Sequence, residues 1–389
     1  MRFDADIVVV GGGIAGAGIA AELSTNRKII LLEQEEHAGI HATGRSAALH
    51  SEIYGNACIR ALTQASRDFF LNAVGGVAFA HERGCLHIAA EHQIERLEAF
   101  ARQSDVAPVI RRITGQEARA RVPVLKPDHV VAAIEERHAY DLDVNAIHQS
   151  FLARLRANGG VLHCSSPANA LAFDGARWRV TAGGREFRAP ILVNAAGAWG
   201  DVLAARAGVR SIGLEPKRRS ALTVDPPAGV DPSGWPAVID IDEQFYFKPE
   251  AGRILMSPAD ETPSVPCDAH PEEIDLAIAV DRVQRVADIP VRHIAHRWAG
   301  LRTFVRDKTP VVGFDPDAPG FFWLVGQGGY GIQTSPALSR LAAALVRGRA
   351  VPSDLADRGV LEADLAPGRL RAATAPSPIP DHNLQSSQA

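Results

Sequence analysis

The sequence predicts an α/β fold in which a Rossmann-like domain is joined to an α+β domain built on an antiparallel sheet. Three segments carry this prediction. Residues 7–33 follow a strand–turn–helix–strand pattern, residues 216–260 alternate apolar and polar side chains, and residues 321–346 form a strand, a glycine-rich turn and a helix. A chain of 389 residues is too long for one simple core and suits two closely packed domains.

The first forty residues contain the most informative motif. An apolar strand that begins at Ile7 is followed by G-x-G-x-x-G at Gly11, Gly13 and Gly16, a helical pattern, and a second strand that ends in Glu33. Gly11 allows a tight turn, Gly13 lets a pyrophosphate approach the backbone, and Gly16 lets the helix pack closely. The helix N-terminus offers N–H groups to phosphates, and Glu33 suits ribose hydroxyls. The spacing alone leaves NAD and FAD both open.

The elements after this motif are predicted from periodicity and turn residues. Residues 84–145 mix short strands with charged helices, and the tail from about residue 371 is rich in Ala, Pro, Ser and Gln, which predicts disorder. The remaining predictions are helices over 56–72, 144–157 and 336–346, strands over 161–164, 191–197 and 321–325, and a hairpin of 178–181 with 185–187.

Composition narrows the class of protein. With 46% hydrophobic residues, 22% charged residues and a net charge of −4, the chain has the composition of a soluble globular protein, and a nucleic-acid binder acting through bulk positive charge is excluded. The four cysteines form no C-x-x-C pair, which favours a reduced, cytoplasmic setting. His81, Cys85 and His87 lack a fourth ligand at zinc-like spacing, so no metal is expected.

The beginning of the chain predicts neither a signal peptide nor a membrane span. Asp4 and Asp6 stand where a signal peptide carries basic residues. The apolar run over residues 7–21 is shorter than a membrane span and rich in glycine. We therefore expect no membrane insertion.

Five segments, in order along the chain, make the sequence resemble the FAD-dependent D-amino acid oxidase and glycine oxidase family. They are residues 10–16 (VGGGIAG), 43–48 (TGRSAA), 193–199 (VNAAGAW), 298–302 (WAGLR) and 327–333 (QGGYGIQ). Within the family the chain is most similar to bacterial D-arginine dehydrogenase and related D-amino acid dehydrogenases. The resemblance covers about residues 5–365. It implies a glutathione reductase-type fold for the first domain and FAD as the cofactor.

The resemblance also implies which residues contact FAD. No cysteine lies near the late glycine-rich turn in the sequence, so the flavin is expected to be bound without a covalent link. The implied contacts are Gly11, Gly13, Ile14, Ala15, Gly16, Glu33, Thr43, Gly44, Arg45, Ser46, Ala47, Ala48, Ala168, Ala196, Gly197, Gly328, Gly329, Tyr330, Gly331, Ile332 and Gln333. We predict a discontinuous FAD domain over 1–80, 145–215 and 300–370, a substrate domain over 81–144 and 216–299, and a disordered tail over 371–389.

Oxidation of an amino acid at Cα requires the carboxylate to be held still, which favours the planar fork of arginine. The resemblance assigns this role to Arg302 and Arg219, and Arg218 is the alternative to Arg219 if the register is shifted by one. It places Tyr54 and Tyr246 as aromatic residues that cap the substrate.

The resemblance implies three further contacts around the substrate, and one candidate lies beside a fourth. Gln333 and the backbone of Gly300 are expected to hold the amine. Ser51 falls on a small hydroxyl position over the flavin. His50 stands next to the site of a family histidine, a position that Leu49 occupies here.

The chain also departs from the arginine-type relatives at the residue that selects the substrate side chain. Cys85 stands where they carry a glutamate that pairs with the guanidinium. A buried cationic head without an acid would be unpaired and costly. A neutral or apolar D-amino acid is therefore expected to fit a pocket formed by Cys85 and Leu49 better than D-arginine.

The leading functional hypothesis is oxidative deamination of D-amino acids, with hydride transfer from Cα to flavin N5 and release of a 2-oxo acid and ammonia. The alternatives are a 2-hydroxy-acid dehydrogenase with His50 as base, the flavin subunit of an opine or sarcosine oxidase-type complex, and an NAD-dependent dehydrogenase. A quinone or respiratory acceptor is preferred to oxygen by resemblance. It would imply transient membrane contact without insertion.

Overall fold

The computed structural model describes residues 1–72 and 78–371. Its strands form four sheets. Almost all of the predicted disordered tail lies outside the described residues. Within these residues no helix has the length and apolar character needed to cross a membrane, and no group of three or more histidine, cysteine or acidic side chains is placed to hold a metal ion.

A six-stranded sheet forms the centre of the first layer. Its strands are parallel except the last, which pairs antiparallel with its neighbour. In spatial order they are Val161–His163, Ile29–Leu32, Ile7–Val10, Ile191–Asn194, Phe321–Val325 and Val311–Phe314. Most of these strands are almost wholly buried, as expected for a parallel sheet covered on both faces.

Alternate residues of this sheet enter two separate cores. Ile7 and Val9 pack with the helices Ile14–Leu23, Val144–Ala157 and Gly331–Val346. Val8 and Val10 pack on the opposite face with the helix Gly200–Arg206 and a four-stranded sheet. In spatial order the strands of that sheet are Arg2–Asp4, Arg185–Ala189, Trp178–Ala182 and Ala168–Phe173.

A nine-stranded mixed sheet forms the second part of the molecule. Most neighbours are antiparallel, but Ala237–Asp240 runs parallel to Cys85–Ala89. In spatial order the strands are Thr262–Pro263, Glu215–Val224, Arg253–Ser257, Tyr246–Glu250, Ala237–Asp240, Cys85–Ala89, Ala132–Glu136 and Arg111–Thr114, and Ile294–Phe304 also pairs with Glu215–Val224. The helix Glu273–Val286 covers one face with an apolar core, which leaves the other face free to carry polar residues.

The remaining elements are short and connect these layers. A three-stranded sheet contains Leu49–His50, Tyr140–Leu142 and Ala80–Glu82. The other helices are Ala57–Gln64, Arg67–Leu71, Ile94–Ala101, Gly115–Arg121, Ser353–Ala356 and Glu362–Leu365, with 3₁₀ turns at Glu91–Gln93, Ala107–Val109, Gly197–Trp199 and Pro367–Leu370.

The structure confirms the α/β prediction, and the predicted helix over 144–157 and the hairpin are present. The prediction of one helix over 56–72 is wrong, because the chain forms two helices that break at Ala65 and Ser66. The Ser66 hydroxyl donates to the carbonyl of Leu62 and accepts from the N–H of Ala337, which fixes the break against a neighbouring helix. The domain boundaries stay a prediction.

The predicted start of the last long helix, residue 336, is also wrong. The helix begins at Gly331, so Pro336 lies inside it rather than at its first position. Proline cannot donate to the carbonyl four residues earlier, which is that of Ile332. The hydroxyl of Ser335 donates to that carbonyl at 2.9 Å, which satisfies the group that the proline leaves without a backbone donor.

Candidate active site

The glycine motif makes the tight turn that its spacing predicts. Gly11 has φ +108°, and a Cβ there would lie 2.3 Å from the carbonyl oxygen of Ala195. A Cβ on Gly16 would lie 1.8 Å from the oxygen of Gly11. The helix begins at Ile14 immediately after Gly13. Neither Gly11 nor Gly16 can therefore carry a side chain without moving the strand or the helix away from this turn.

Glu33 lies at the end of the second parallel strand, buried beside this turn. Its two carboxylate oxygens accept hydrogen bonds from the N–H of Gly12 at 2.8 Å and of Glu35 at 3.0 Å. The hydroxyl of Thr43 accepts from the N–H of Ile14 at 3.0 Å, which joins the 43–48 segment to the first turn of the helix. The carboxylate is thus fixed at the edge of the strand where a ribose is expected.

A cavity of about 340 Å³ opens at this turn and extends to the nine-stranded sheet. It is called the flavin-side cavity below, after the cofactor that the sequence resemblance implies. Glycine backbone forms much of its wall, and a Cβ on Gly197 would meet no atom within 4 Å. Most of the residues predicted to contact FAD line it: Gly11, Gly13, Ile14, Ala15, Glu33, Thr43, Arg45, Ser46, Ala47, Ala168, Ala196, Gly197, Gly328, Gly329, Gly331 and Ile332.

The other five predicted FAD contacts do not line this cavity. Gly16 and Gly44 allow close backbone packing, and a Cβ on Gly44 would be 2.8 Å from the oxygen of Gly39. Ala48 has a left-handed φ of +45° at the end of the 43–48 segment. Tyr330 and Gln333 face other parts of the molecule, as described below.

The walls suit a dinucleotide along this length. A helix N-terminus preceded by glycine, a fixed carboxylate at the second strand and exposed glycine backbone are the groups that bind a pyrophosphate and a ribose. At its far end the cavity is lined by cationic and aromatic side chains from the nine-stranded sheet, among them Arg219, Tyr246 and Arg302.

Strand register decides which of two neighbouring arginines faces the cavity. Arg219 pairs with Gly300 across the sheet, and both line the cavity. The neighbouring Arg218 points to the opposite face, where it forms ion pairs with Glu272 and with Asp275 of the covering helix. Because side chains alternate along a strand, only Arg219 can contribute to this site.

Arg302 is the most isolated cation of the site. Its Nη1 donates to the hydroxyl of Tyr54 at 3.0 Å, and a Cβ on Gly329 would lie 2.7 Å from that nitrogen. Among the described residues no carboxylate forms an ion pair with it. Burial opposes its charge, but the phenolic groups of Tyr54 and Tyr246 raise its pKa above the ordinary value. An anion brought into this cavity would therefore find a charged and unpaired guanidinium.

Arg219 is held in a different way. Its Nε donates to the backbone oxygen of Asp260 at 2.7 Å, and its Nη2 lies 3.6 Å from a carboxylate oxygen of Glu261. Arg219 therefore has an acidic side chain beside it that offsets its charge, whereas Arg302 forms no ion pair with a carboxylate of the described residues. We conclude that Arg219 is anchored in the wall and that Arg302 offers the stronger field for an incoming carboxylate.

The two predicted substrate tyrosines occupy different positions. Tyr246 lines the cavity directly. Tyr54 reaches it only through its hydroxyl on Arg302, and its ring packs edge-on against Tyr330 at 4.9 Å between centroids. Tyr54 and Tyr330 together also line a second, outer cavity that contains His87 and Phe100. The tyrosine pair thus stands at the border between the two cavities.

His50, Ser51 and Gln333 do not line the flavin-side cavity. The Nε2 of His50 lies 3.2 Å from the oxygen of Thr63, and burial lowers the pKa of His50 to about 4. The side-chain oxygen of Gln333 accepts from the N–H of Ser51 at 3.2 Å, and its nitrogen donates to the hydroxyl of Thr63 at 2.9 Å. The amide of Gln333 is therefore engaged at both ends within the protein.

Cys85 and Leu49 belong to an apolar cluster beside the site. Cys85 is fully buried and packs with Ala139 and Ala237, and burial raises the pKa of its thiol. Leu49 packs against the same group. This cluster lies outside the lining of the flavin-side cavity, so the predicted Cys85–Leu49 pocket is not open in the structure.

Several residues of the site were not found in the sequence. Cys267 lines the cavity, although it lies far from the late glycine-rich turn in the chain. Asp260 and Glu261 anchor Arg219, and Glu136 binds the segment that carries Tyr54. No motif marks any of these residues. The one available signal was the acidic pair itself in a segment otherwise rich in proline and apolar residues.

Comparison with known proteins agrees with this geometry. Residues 6–345 match the DAO family, described as FAD dependent oxidoreductase. The glycine oxidase of Geobacillus kaustophilus is 22% identical over 367 residues, which cover 90% of this chain and 95% of the relative. Its crystal structure superposes with a TM-score of 0.78 at 20% identity, over 89% of this chain and 95% of that one.

Two further solved structures share the fold. An L-α-glycerophosphate oxidase from Mycoplasma pneumoniae with FAD bound has a TM-score of 0.80 at 18% identity, over 88% of this chain and 95% of that one. An L-amino acid deaminase from Proteus vulgaris has a TM-score of 0.78 at 15% identity, over 95% of this chain and 98% of that one. At these identities the structures establish the shared fold alone.

Proposed function

The chain belongs to the DAO family of FAD-dependent oxidoreductases, and on that premise we propose that it oxidises D-amino acids with neutral or apolar side chains to 2-oxo acids and ammonia. The observation that carries this proposal is Arg302, a guanidinium in the cavity wall that binds a tyrosine hydroxyl and no carboxylate of the described residues. Such a group suits the carboxylate of a small substrate. The similarity to glycine oxidase supports an amine as the reacting group.

The cofactor is FAD, and in this proposal it accepts the hydride that leaves Cα of the substrate. The backbone at Gly11 and Gly13, the N-terminus of the first helix and the carboxylate of Glu33 would hold its dinucleotide part. Glycine backbone at Gly197, where a Cβ would meet no atom within 4 Å, would leave room for the ring system.

The residues of the chain would bind and orient the amino acid. Arg302 would pair with the carboxylate while Tyr54 fixes the orientation of the guanidinium. Arg219, anchored by Asp260, would add a second donor on the same sheet face. Gly300 lies opposite Arg219 and supports the predicted backbone contact with the amine. The substrate would lose a hydride from Cα and a proton from nitrogen, and water would hydrolyse the imine.

The choice of a neutral or apolar side chain rests on the surroundings of the predicted selector. Cys85 lies in an apolar cluster, and its thiol is held neutral by burial. Cys85 supplies no carboxylate to a guanidinium, and the carboxyl of Glu136 opposite it is already engaged by Ser51 and Glu52. D-Arginine is therefore the less favoured substrate. The preference for the D enantiomer rests on the sequence resemblance.

Oxidation of 2-hydroxy acids is the second candidate, and the position of His50 weighs against it. That reaction needs a base for the hydroxyl proton. His50 was the candidate base, but it lies outside the cavity lining and is engaged with Thr63. A quinone or respiratory acceptor, a cytoplasmic location and a place in amino acid catabolism belong to the same proposal and rest on resemblance and cysteine usage.

Anaerobic reduction of the bound flavin tests the proposal directly. The purified holoprotein is mixed without oxygen with D- and L-amino acids, glycine, sarcosine and 2-hydroxy acids, and loss of the yellow absorbance is followed. Rapid bleaching by neutral D-amino acids, but not by their L-forms, is expected. Bleaching by 2-hydroxy acids alone would overturn the assignment. A flavin that no compound bleaches would favour a subunit that works only within a larger complex.

A further inference from the structure

Tyr54 is carried by an irregular stretch of chain, residues 51–54, here called the tyrosine segment. It lies between the short strand Leu49–His50 and the helix Ala57–Gln64. Its one internal backbone hydrogen bond, from the N–H of Tyr54 to the oxygen of Ser51, is long at 3.5 Å. The position of the Tyr54 hydroxyl must therefore depend on side chains outside the segment that form hydrogen bonds with it.

Two side chains, one from each part of the molecule, accept hydrogen bonds from Ser51 and Glu52 at the start of this segment. Gln333, from the helix Gly331–Val346, accepts from the N–H of Ser51 at 3.2 Å. Glu136, at the end of the strand Ala132–Glu136, accepts from the hydroxyl of Ser51 and from the N–H of Glu52, both at 2.7 Å. The hydrogen bonds to Glu136 are shorter than the one to Gln333, and they connect the tyrosine segment to the nine-stranded sheet.

Glu136 is an unusual residue to find at this position, because it is only 1% exposed. Its neighbour across the strands is Cys85, which is fully buried and uncharged. Burial raises the pKa of Glu136 to about 7, and the hydrogen bonds from Ser51, Glu52 and Ile53 oppose that rise. A buried acid held by hydrogen bonds alone is costly for stability, so the contacts it makes are the best account of its presence.

We propose that Glu136 is a positioning residue, which sets the place of the Tyr54 hydroxyl and so the geometry of the anion site at Arg302. The proposal rests on the proposed function, in which Arg302 binds the carboxylate of the substrate. When Glu136 is ionised, both of its oxygens accept from the tyrosine segment. When it is protonated, one oxygen becomes a donor and a contact must rearrange.

Other titratable groups surround the tyrosine segment. Glu52 is a member of the segment, and its carboxylate disfavours ionisation of Glu136. Arg67 lies 3.7 Å from a Glu52 oxygen, and His138 also acts on the charge of Glu52. Cys85 faces Glu136 from the adjacent strand. The ionisation of Glu136 is therefore coupled to that of Glu52, and variants of Glu136 are needed to separate the two.

The test measures binding of propionate, a carboxylate without an oxidisable amine, to the holoprotein by perturbation of the flavin absorbance. For Glu136→Ala we expect propionate to bind about 10-fold more weakly at pH 8. Amide hydrogen exchange of residues 51–54 should become faster while that of 311–325 stays unchanged. Glu135→Gln is the matched control, because Glu135 is buried on the same strand but binds Arg111 and Arg121 instead. It should bind propionate within 2-fold of the parent.

A double-mutant cycle asks whether Glu136 acts through Tyr54. Glu136→Gln is the conservative variant, because its amide oxygen can still accept from the N–H of Glu52. It replaces Glu136→Ala in the test if the alanine variant does not retain FAD. It should weaken propionate binding and flatten its dependence on pH near 7. In a Tyr54→Phe background the same change should have an effect of less than 2-fold, because the hydroxyl it positions is gone.

The outcomes separate this inference from the proposed function. If Arg302→Met binds propionate as tightly as the parent, the carboxylate site itself is wrongly assigned and both proposals fail. If Arg302→Met weakens binding but both Glu136 variants bind normally, only the role of Glu136 is overturned. Full additivity of Glu136→Gln and Tyr54→Phe would likewise overturn it.

Discussion

The Nη1 of Arg302 and the hydroxyl of Tyr54 lie 3.0 Å apart, although 248 positions separate them in the chain. Arg302 belongs to a strand of the nine-stranded sheet, and Tyr54 belongs to the irregular segment just before the helix Ala57–Gln64. This hydrogen bond fixes one edge of a buried guanidinium and leaves the rest of it for a ligand. The anion site is therefore assembled from two distant parts of the sequence.

Removal of the Tyr54 hydroxyl should weaken substrate binding more than it slows the chemical step. In Tyr54→Phe the guanidinium loses a hydrogen bond to a charged group, and KM should rise about 10-fold. kcat should change by less than about 3-fold, since the hydroxyl binds Arg302 and Tyr54 does not line the cavity. Steady-state kinetics with the best substrate of the panel measure both. Tyr140→Phe, a buried tyrosine outside the cavity lining, is the control and should leave both constants unchanged.

The three neighbouring arginines should respond differently to replacement by lysine. Arg302→Lys should lower kcat/KM by 100-fold or more, on the order of 3 kcal/mol, because the planar fork that binds a carboxylate through two donors is lost even though the positive charge is kept. Arg219→Lys should lower it less, since Asp260 and Glu261 already engage that side chain. Arg218→Lys is the control, because Arg218 forms its ion pairs on the opposite face. A larger loss for Arg218 than for Arg219 would mean that the register is wrong.

The sequence predicted the parts of this site that depend on local geometry. The reasons given for Gly11 and Gly16 concern atoms within a single turn, and the structure confirms both. Contacts across the fold could not be predicted in the same way. Glu136 follows another glutamate on a strand, and nothing local shows that one of the two carboxylates is aimed inward at the tyrosine segment.

Contacts with side chains from elsewhere in the chain also decide what a residue does. Gln333 was assigned to the substrate amine by resemblance, and that assignment stays a prediction. In the structure Ser51 and Thr63 engage both ends of its amide. Pro336 was predicted to begin a helix that in fact begins at Gly331, and the hydroxyl of Ser335 relieves the cost of placing the proline further inside. The sequence pattern alone shows neither set of contacts.

The flavin should be released in full when the protein is denatured. Non-covalent binding was predicted because no cysteine follows the late glycine-rich turn closely, but Cys267 lines the cavity and is the thiol that could contradict it. Acid precipitation of the holoprotein should leave a colourless pellet and all of the flavin in the supernatant, and Cys267→Ser should behave identically. A yellow pellet from the parent that becomes colourless in Cys267→Ser would show a covalent link.

Acid should destabilise the protein through His87 at pH values where most carboxylates are still ionised. Burial lowers the pKa of His87 to about 4, so the folded protein keeps this ring neutral, while the unfolded chain takes up a proton below about pH 6.5. The contribution of the neutral His87 ring to the free energy of unfolding is therefore fully present above about pH 6.5, and it is lost as the pH falls towards 4. The difference corresponds to about 3 kcal/mol.

Replacement of His87 by phenylalanine tests this linkage, because it keeps a ring against Phe100 and removes the titrating group. Denaturant unfolding at pH 7.5 and at pH 4.5 should show a smaller loss of stability for His87→Phe than for the parent, by on the order of 2 kcal/mol. His92→Gln, at an exposed position, is the control and should keep the parental loss. Equal losses in the parent and in His87→Phe would mean that His87 is already protonated in the folded protein, or that other groups dominate the acid limb. Proton uptake on unfolding at pH 5, measured by calorimetry in buffers of different ionisation enthalpy for the parent and for His87→Phe, separates these two cases. Other buried histidines such as His50 contribute equally to both proteins, so only a neutral folded His87 makes the count of the parent the larger one.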